Sequence, residues 1–339
     1  MKKIFYKIFG HFANFLPTSF VSKLSNINII CPFYHVVEPY YADFYKNLYK
    51  PLTLERWLKD IDFLIDNYKP LSPEEFHYFV INNLKPKKKS FFLTFDDGLR
   101  EIYDIVFPVL SSKGIKPAVF VNTDYIDNKD LFYRYSVSLI IEKIKQQPSL
   151  EKLVLSILSD FTNINGKNVF EKLLNINYSN KEILNKIFPV CDIDIKEILD
   201  KYKPYLTWEQ IKLLADNGWY IGSHGTNHKN FQLMSEQEAI NDLKKSFNEI
   251  ESHVHQKFRI FAFPFTDYGL NEKFINALFE SKATDICLGG AGIYREKYNK
   301  HFQRIPMEIE FADSARFIIH SEYLYYFAKR ILNKSMIKR

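Results

Sequence analysis

The chain is poor in cysteine and has no long apolar run. Its three cysteines, Cys31, Cys191 and Cys287, are odd in number and widely spaced, so we expect neither a disulfide framework nor a cysteine zinc site. No stretch reaches the roughly 18 apolar residues of a membrane-spanning helix. Lys7 and His11 interrupt the apolar start of the chain before a signal-type run develops. We therefore expect a soluble, cytoplasmic protein without a signal peptide.

The chain also lacks a strong excess of one charge. Its 46 Lys and Arg residues are interspersed with 40 Asp and Glu residues, for a net charge of +6, which argues against a nucleic-acid partner. The basic excess lies at the two ends, among Phe, Ile and Leu. It comprises Lys2, Lys3, Lys7, Lys23, Lys329, Arg330, Lys334, Lys338 and Arg339. Two interpretations follow: peripheral contact with the inner face of an anionic membrane, or frayed and solvated ends.

Strand and helix patterns alternate from about residue 88 onward. The apolar run 90–95 is typical of a buried strand, and a helical pattern closed by Gly114 follows it. Capping boxes at Thr207 and Ser235 predict the starts of two later helices. Further strands are predicted at 29–35, 118–121, 219–222, 259–263, 284–287 and 304–307. This alternation predicts an α/β fold with a parallel sheet, open or closed into a barrel, and a barrel places its chemistry at the carboxyl ends of the strands.

Residues from about 127 to 204 interrupt the alternation with Leu, Ile, Lys and Asn at helical spacing. We predict a helical insertion between two barrel strands rather than a separate enzyme. The predicted plan is a single catalytic domain over 1–339, with its core at about 28–310. Residues from about 311 to 339 would form a basic C-terminal extension.

Two carboxylates and two histidines follow predicted strands. Asp96 and Asp97 are adjacent, which is costly at the end of a buried strand unless a cation offsets their charge. The alternative is a capped turn that opens the next helix. His224 and His228 stand four apart after another strand, a spacing that lets two imidazoles converge on one ion. The combination predicts a metal site.

These residues lie in sequences that resemble the motifs of a known family. Thr94–Gly98 is similar to the first motif of the polysaccharide deacetylase (NodB-like carbohydrate esterase) family, 223–228 to the second and 261–265 to the third. The early Tyr34–His35 pair is closest in layout to bacterial exopolysaccharide deacetylases. The resemblance spans about residues 30 to 310, without the insertion, and implies a distorted (β/α) barrel of about seven strands.

The resemblance also implies a chemistry and its residues. One divalent ion, with Zn²⁺ preferred over Co²⁺, Ni²⁺ or Fe²⁺, would be held by Asp97, His224 and His228. Asp96 would be the general base, and the Phe265 backbone N–H would help to stabilise the oxyanion. The implied reaction is hydrolytic removal of N-acetyl groups from a sugar, oligosaccharide or polysaccharide, including a surface-glycan precursor.

The proton donor and two departures from the family pattern leave alternatives. His35 is preferred as the acid because it lies in the early Tyr-His motif, whereas His320 lies in a predicted helix; a structural role for His35 is the alternative. Ala262 stands where many relatives have arginine, and Arg304 is predicted to replace that arginine. After the third motif, Asp267 and Tyr268 are candidate substrate contacts, although Asp267 would equally shape the turn.

Three other functions compete with this interpretation. A non-haem iron oxygenase also uses two histidines and a carboxylate, but its usual scaffold is antiparallel. An O-acetyl esterase or another amide hydrolase would use nearly the same chemistry on the same fold. A catalytically inactive glycan-binding relative is disfavoured because Asp96, Asp97, His224 and His228 are all intact.

Overall fold

The computed structural model describes residues 2–161 and 164–339 and shows an α/β fold built on parallel strands. The strands are β1 (Ile29–Ile30), β2 (Pro32–Tyr34), β3 (Lys69–Pro70), β4 (Ser90–Phe91), β5 (Thr94–Phe95), β6 (Ala118–Val121), β7 (Tyr220–Ser223), β8 (Ile260–Ala262), β9 (Ile286–Gly289), β10 (His301–Gln303) and β11 (Ile305–Pro306). Eight of them form one sheet in the order β10-β9-β8-β7-β6-β5-β2-β11. The other three form a small parallel sheet in the order β1-β4-β3.

The large sheet curves into a nearly closed barrel, and Arg304 marks the seam. β10 pairs with β9 at one edge, and β11 pairs with β2 at the other. Only Arg304 separates β10 from β11, so one continuous stretch of chain pairs with the strands at both edges of the sheet. The sheet has eight strand segments, and seven strands when this stretch is counted as one. The predicted α/β barrel is confirmed.

The helices surround the barrel. They are α1 (Lys2–Phe15), α2 (Thr18–Ser25), α3 (Leu54–Asn67), α4 (Pro73–Ile81), α5 (Phe107–Ser112), α6 (Tyr133–Gln146), α7 (Leu150–Ser159), α8 (Val169–Leu174), α9 (Leu184–Ile187), α10 (Ile195–Tyr202), α11 (Trp208–Asp216), α12 (Glu236–His253), α13 (Glu272–Glu280) and α14 (Ala315–Ile331). The capping boxes predicted at Thr207 and Ser235 are confirmed at the starts of α11 and α12. In α11, Trp208, Ile211 and Leu214 are buried at helical spacing.

The predicted helical insertion is confirmed between β6 and β7. Its helices α6 to α10 pack around an apolar cluster of their own, which includes Ile140, Val154, Leu173 and Ile187. Leu99, directly after the Asp-Asp-Gly turn, belongs to the same cluster. The insertion is thus packed against the barrel rim at the point where β5 ends.

The two ends of the chain pack together, so the interpretation of frayed ends is wrong. Helix α1 lies against α14, and its Tyr6, Gly10 and Ala13 are buried there. A Cβ on Gly10 would stand 2.4 Å from the Phe317 ring, so this close helix contact requires glycine. Within the part of the chain that the structure describes, no helix has both the length and the apolar character needed to cross a bilayer.

Candidate active site

The predicted site residues meet at one rim of the barrel. Asp96 and Asp97 follow β5, and His224 follows β7, which is separated from β5 by β6 alone. Parallel strands end at the same rim, so side chains that follow them converge there. Asp96, Asp97, His224 and His228 all line one cavity of about 300 Å³.

Asp97, His224 and His228 form a buried donor set. Asp97 Oδ1 lies 3.3 Å from His228 Nε2 and 3.6 Å from His224 Nε2. Among the described residues this buried oxygen has no hydrogen-bond partner, which is costly for an anionic acceptor. One carboxylate and two imidazoles are ligands that divalent transition metals prefer, and the three ligand atoms lie within 4.8 Å of one another. The residues fit a metal ion.

The backbone conformation determines the direction in which these side chains point. Asp97, His228 and Phe265 have φ values of 71°, 55° and 58°, in the left-handed region that non-glycine residues rarely adopt. Gly98 follows Asp97 with a φ of 65°, so two left-handed residues in succession turn the chain sharply at the end of β5. Strained residues of this kind cluster at functional sites.

A backbone carbonyl orients His224. Its Nδ1 donates to the carbonyl oxygen of Ala262 at 2.8 Å, which leaves Nε2 free of hydrogen and facing Asp97. Burial lowers the pKa of His224 to about 4, so the ring is neutral, as a metal ligand must be. Ala262 therefore contributes to the candidate site through its main chain.

Tyr135 of the insertion contacts the other oxygen of Asp97. Its hydroxyl donates to Asp97 Oδ2 at 3.0 Å and lies 3.1 Å from the hydroxyl of Tyr49. Burial raises the pKa of Asp97, but the adjacent His228 outweighs it and holds that pKa well below its usual range. No sequence motif marks Tyr135, so the contact of the insertion with the candidate site is not predicted from the sequence.

Arg304 reaches Asp96 from the barrel seam. Its guanidinium donates to both carboxylate oxygens, at 2.7 and 2.8 Å, and both side chains are almost fully buried. It also donates to Thr94 Oγ1 at 3.2 Å. Burial raises the pKa of Asp96, but the charge and hydrogen bonds of Arg304, together with the charges of His224 and His35, outweigh it, so the net shift is downward. The predicted contact between Arg304 and Asp96 is present.

His35 lines the same cavity and is paired with Glu308. Its Nδ1 contacts Glu308 Oε2, while Glu308 Oε1 accepts from the backbone N–H groups of His35 and Val36 at 3.0 and 2.8 Å. Burial alone lowers the pKa of His35, but the charge and hydrogen bond of Glu308, together with the charges of Asp97 and Asp96, outweigh it and raise the pKa to about 9. Glu308 lies two residues after the last strand in no recognisable motif, so the sequence alone does not predict its role.

His320, the other candidate acid, lies elsewhere. It sits in α14, where its Nδ1 contacts the Ala13 carbonyl oxygen and its Nε2 contacts Thr18 Oγ1, both at 3.0 Å. Burial lowers the pKa of His320 to about 4. These contacts join α14 to α1 and α2, so of the two histidines the structure brings His35 to the cavity.

The two candidate substrate contacts, Asp267 and Tyr268, lie in different environments. Asp267 is fully buried, and its carboxylate contacts Arg339, Gln303 at 2.6 Å and His301 at 3.0 Å. All three contacts are made by Oδ2, and the burial of Asp267 fits the alternative in which it shapes the turn; its contact with substrate stays a prediction. Tyr268 is 67% exposed, and its contact with substrate stays a prediction.

A larger cleft adjoins the cavity. It has a volume of about 1020 Å³ and shares Arg134 and Phe265 with the cavity. The cleft lies between the insertion and α12, and its other polar and aromatic lining residues include Tyr133, Asn177, Tyr178, Asn227 and Asn230. Aromatic faces and amide groups are suited to pyranose rings and their hydroxyls.

Comparison with known sequences gives one family. The profile described as polysaccharide deacetylase matches residues 83–278, which is more than half of the chain. The Bacillus subtilis (strain 168) protein YxkH, provisionally named a polysaccharide deacetylase, is 32% identical over 74 residues. That alignment covers 22% of this chain and 25% of YxkH, so the chain matches about a quarter of this curated relative.

Comparison with solved structures extends over most of the chain. The Streptococcus pyogenes deacetylase PplD in complex with acetate has a TM-score of 0.56 at 16% identity, covering 87% of this chain and 98% of that one. IcaB from Ammonifex degensii has a TM-score of 0.54 at 14% identity, with 87% and 97% covered. A de-N-acetylase from Aggregatibacter actinomycetemcomitans has a TM-score of 0.50 at 17% identity, with 85% and 99% covered. At these identities the likeness shows the fold.

Proposed function

The chain belongs to the polysaccharide deacetylase family, and from this we propose that it is a metal-dependent hydrolase that removes N-acetyl groups from a sugar, oligosaccharide or polysaccharide. The reaction would cleave a carbon–nitrogen bond other than a peptide bond. One observation carries the proposal: Asp97 Oδ1, which has no hydrogen-bond partner among the described residues, faces two histidine Nε2 atoms, and the adjacent Asp96 lines the same cavity while paired with Arg304. Acetate bound to PplD and the named activity of the Aggregatibacter relative support the choice of acetyl group.

We propose that Asp97, His224 and His228 hold the divalent ion, with Zn²⁺ preferred over Co²⁺, Ni²⁺ or Fe²⁺. An ion bound there would supply Lewis acidity, which would polarise the acetyl carbonyl and acidify a water molecule. The donor set supports this assignment because three protein ligands leave positions open for water and substrate.

Asp96 is proposed as the general base. Arg304 holds it ionised and fixes the plane of its carboxylate, so it can take the proton of the attacking water. The backbone N–H of Phe265, at the cavity wall, is proposed to donate to the oxygen on which negative charge develops. Both groups are preorganised, because a buried ion pair and a left-handed backbone residue respectively fix their directions.

His35 is proposed as the acid that protonates the departing amine. The Glu308 carboxylate keeps its imidazole protonated near neutral pH, and the ring lines the same cavity as the base. After this proton is transferred, the neutral ring remains hydrogen-bonded to Glu308 and can be protonated again for the next turnover.

The proposal also includes a glycan substrate and a cellular location for the enzyme. The cleft beside Phe265 supports an oligomeric substrate, such as a surface-glycan precursor. The basic ends support peripheral contact with a membrane, and we propose that the enzyme works at the inner membrane face, as the sequence predicts.

The substrate class is tested with paired substrates. Acetate release is measured from N-acetylhexosamine oligomers and from O-acetylated oligomers of the same length, with the zinc-loaded enzyme. We expect faster release from the N-acetylated oligomers. Release from the O-acetylated set alone would identify an esterase. Saturable glycan binding without acetate release from either set would identify an inactive glycan-binding relative, and both results contradict the proposal.

A further inference from the structure

Helix α1 turns a stripe of large apolar side chains toward solvent. Ile4, Ile8, Phe12 and Phe15 are 63%, 62%, 63% and 85% exposed. They follow one another at intervals of four, four and three residues, which places them on one side of the helix over a length of about 17 Å. These four residues are called the α1 face below.

The α1 face is a fixed part of the fold. The opposite side of α1 packs against α14, with Tyr6 and Ala13 buried and Gly10 in close contact with Phe317. Phe5 adds a ring contact at 5.1 Å with Tyr325 of α14. The outward direction of the α1 face therefore follows from tertiary packing, and a contiguous exposed apolar patch on a soluble protein marks an interaction surface.

The charge beside the α1 face is basic. Lys3, Lys7 and His11 follow at intervals of four residues along one flank of the helix, and all three are exposed. The sequence has no acidic residue before Glu38, and none after Glu322. Glu322 is itself buried and is paired with Lys2. An apolar stripe with a lysine flank is the pattern of a helix that lies in a lipid interface.

We propose that the α1 face inserts into the interfacial layer of an anionic lipid surface, with Lys3 and Lys7 beside the phosphate headgroups. This assigns contact residues to the peripheral membrane attachment proposed above. A second copy of the chain is a less favourable partner for the α1 face. A symmetric contact between two α1 faces would bring the same lysines together, and their like charges would repel. Anionic headgroups complement them and raise binding by about fivefold for each lysine.

Vesicle co-sedimentation of the full chain tests the proposal. We expect binding to vesicles of phosphatidylcholine with phosphatidylglycerol, weaker binding to phosphatidylcholine alone, and loss of the difference at high salt. The double variant Ile8→Ser/Phe12→Ser should bind both vesicles at least about tenfold more weakly. The variant Lys3→Gln/Lys7→Gln should lose binding only to the anionic vesicles.

A matched control comes from exposed apolar residues elsewhere. Leu153 and Leu84 are 55% and 46% exposed, and Leu153→Ser/Leu84→Ser should bind vesicles like wild type. Equal binding by the Ile8/Phe12 variant, or no vesicle binding by wild type, would overturn the proposal. If wild type forms a dimer and binds no lipid, and the Ile8/Phe12 variant is monomeric, then the α1 face binds a second copy of the chain instead.

Vesicle binding is measured without a glycan substrate and without catalytic turnover, so the result is independent of the proposed deacetylation. The Asp96→Asn variant should bind vesicles like wild type. Ile8 and Phe12 are exposed, so the unfolding temperature of their variant should match that of wild type. A failed lipid test thus leaves the deacetylase proposal intact, and a failed acetate test leaves the lipid proposal intact.

Discussion

At the scale of single residues, the two adjacent aspartates contact different residues. Asp96 is paired with Arg304, and Asp97 faces His224 and His228. The left-handed φ of Asp97 makes this possible, because it turns the chain within one residue. Two neighbouring carboxylates can then remain ionised in one buried site, since Arg304 offsets the charge of Asp96, His228 offsets that of Asp97, and His224 lies near both.

Arg304→Lys tests the pairing of Asp96. Lysine keeps the charge but cannot donate to both carboxylate oxygens in a fork, so Asp96 should lose its orientation. We expect kcat to fall by about 10- to 100-fold with KM little changed. Metal affinity, measured in the same preparation, should be unchanged because Arg304 contacts none of the three ligands. Unchanged kcat would contradict the role given to Arg304.

Glu308→Gln tests the pairing of His35. The carboxylate raises the pKa of His35 to about 9 against the effect of burial, so the amide should let that pKa fall. A general acid is active below its pKa. The alkaline limb of the pH profile of kcat should therefore move to lower pH, while the acid limb stays in place. An alkaline limb at the wild-type pH would show that His35 is not the acid.

At the scale of elements, the insertion is part of the site. Helix α6 contributes Tyr135 to Asp97, and its Arg134 lines both the cavity and the adjoining cleft. Strand β11 and the loop after it contribute Glu308 to His35 from the other side. Elements outside the family's motifs thus contact both Asp97, the proposed metal ligand, and His35, the proposed acid.

Tyr135→Phe tests the contribution of α6. Without the hydroxyl, Asp97 Oδ2 loses its donor, so the carboxylate is less firmly held; partners of metal ligands are commonly worth about 10- to 100-fold in affinity. We expect zinc affinity, measured by competition with a chromogenic chelator, to fall by that factor. Tyr45→Phe is the control, because its ring packs 5.0 Å from that of Tyr135. Equal zinc affinity of the Tyr135 and Tyr45 variants would contradict the assignment.

Local sequence predicts those features that depend on neighbouring residues. The buried strands, the capping boxes at Thr207 and Ser235, and the motifs around Asp97 and His224 are all of this kind. The contact of Tyr135 with Asp97 spans 38 residues, and that of His35 with Glu308 spans 273. No local pattern encodes such contacts, because tertiary packing sets them.

At the scale of the whole molecule, one residue lies both at the closure of the barrel and in the candidate site. Arg304 separates the two strand segments that join the barrel edges, and its guanidinium crosses to Asp96. Sequence periodicity predicts the last strand but not that it serves both edges. It also leaves open how the ends lie, and packing of α1 on α14 decides this.

Thermal unfolding tests whether the folded chain holds the ion. A ligand that binds only the folded state stabilises it by about 2.7 kcal/mol at a hundred times its Kd. Zinc should therefore raise the Tm of the chelator-treated protein by several degrees. The Asp97→Asn variant should show a much smaller rise. An equal rise in both proteins would place the ion elsewhere.

The central claim is that metal bound at Asp97, His224 and His228 and the base Asp96 together remove acetyl groups. The most direct measurement is acetate release from N-acetylhexosamine oligomers by wild type and Asp96→Asn, each with its metal content determined. We predict that chelated wild type is inactive and recovers with zinc, whereas Asp96→Asn binds zinc but releases almost no acetate. Full release by zinc-loaded Asp96→Asn, or by metal-free wild type, would contradict the claim.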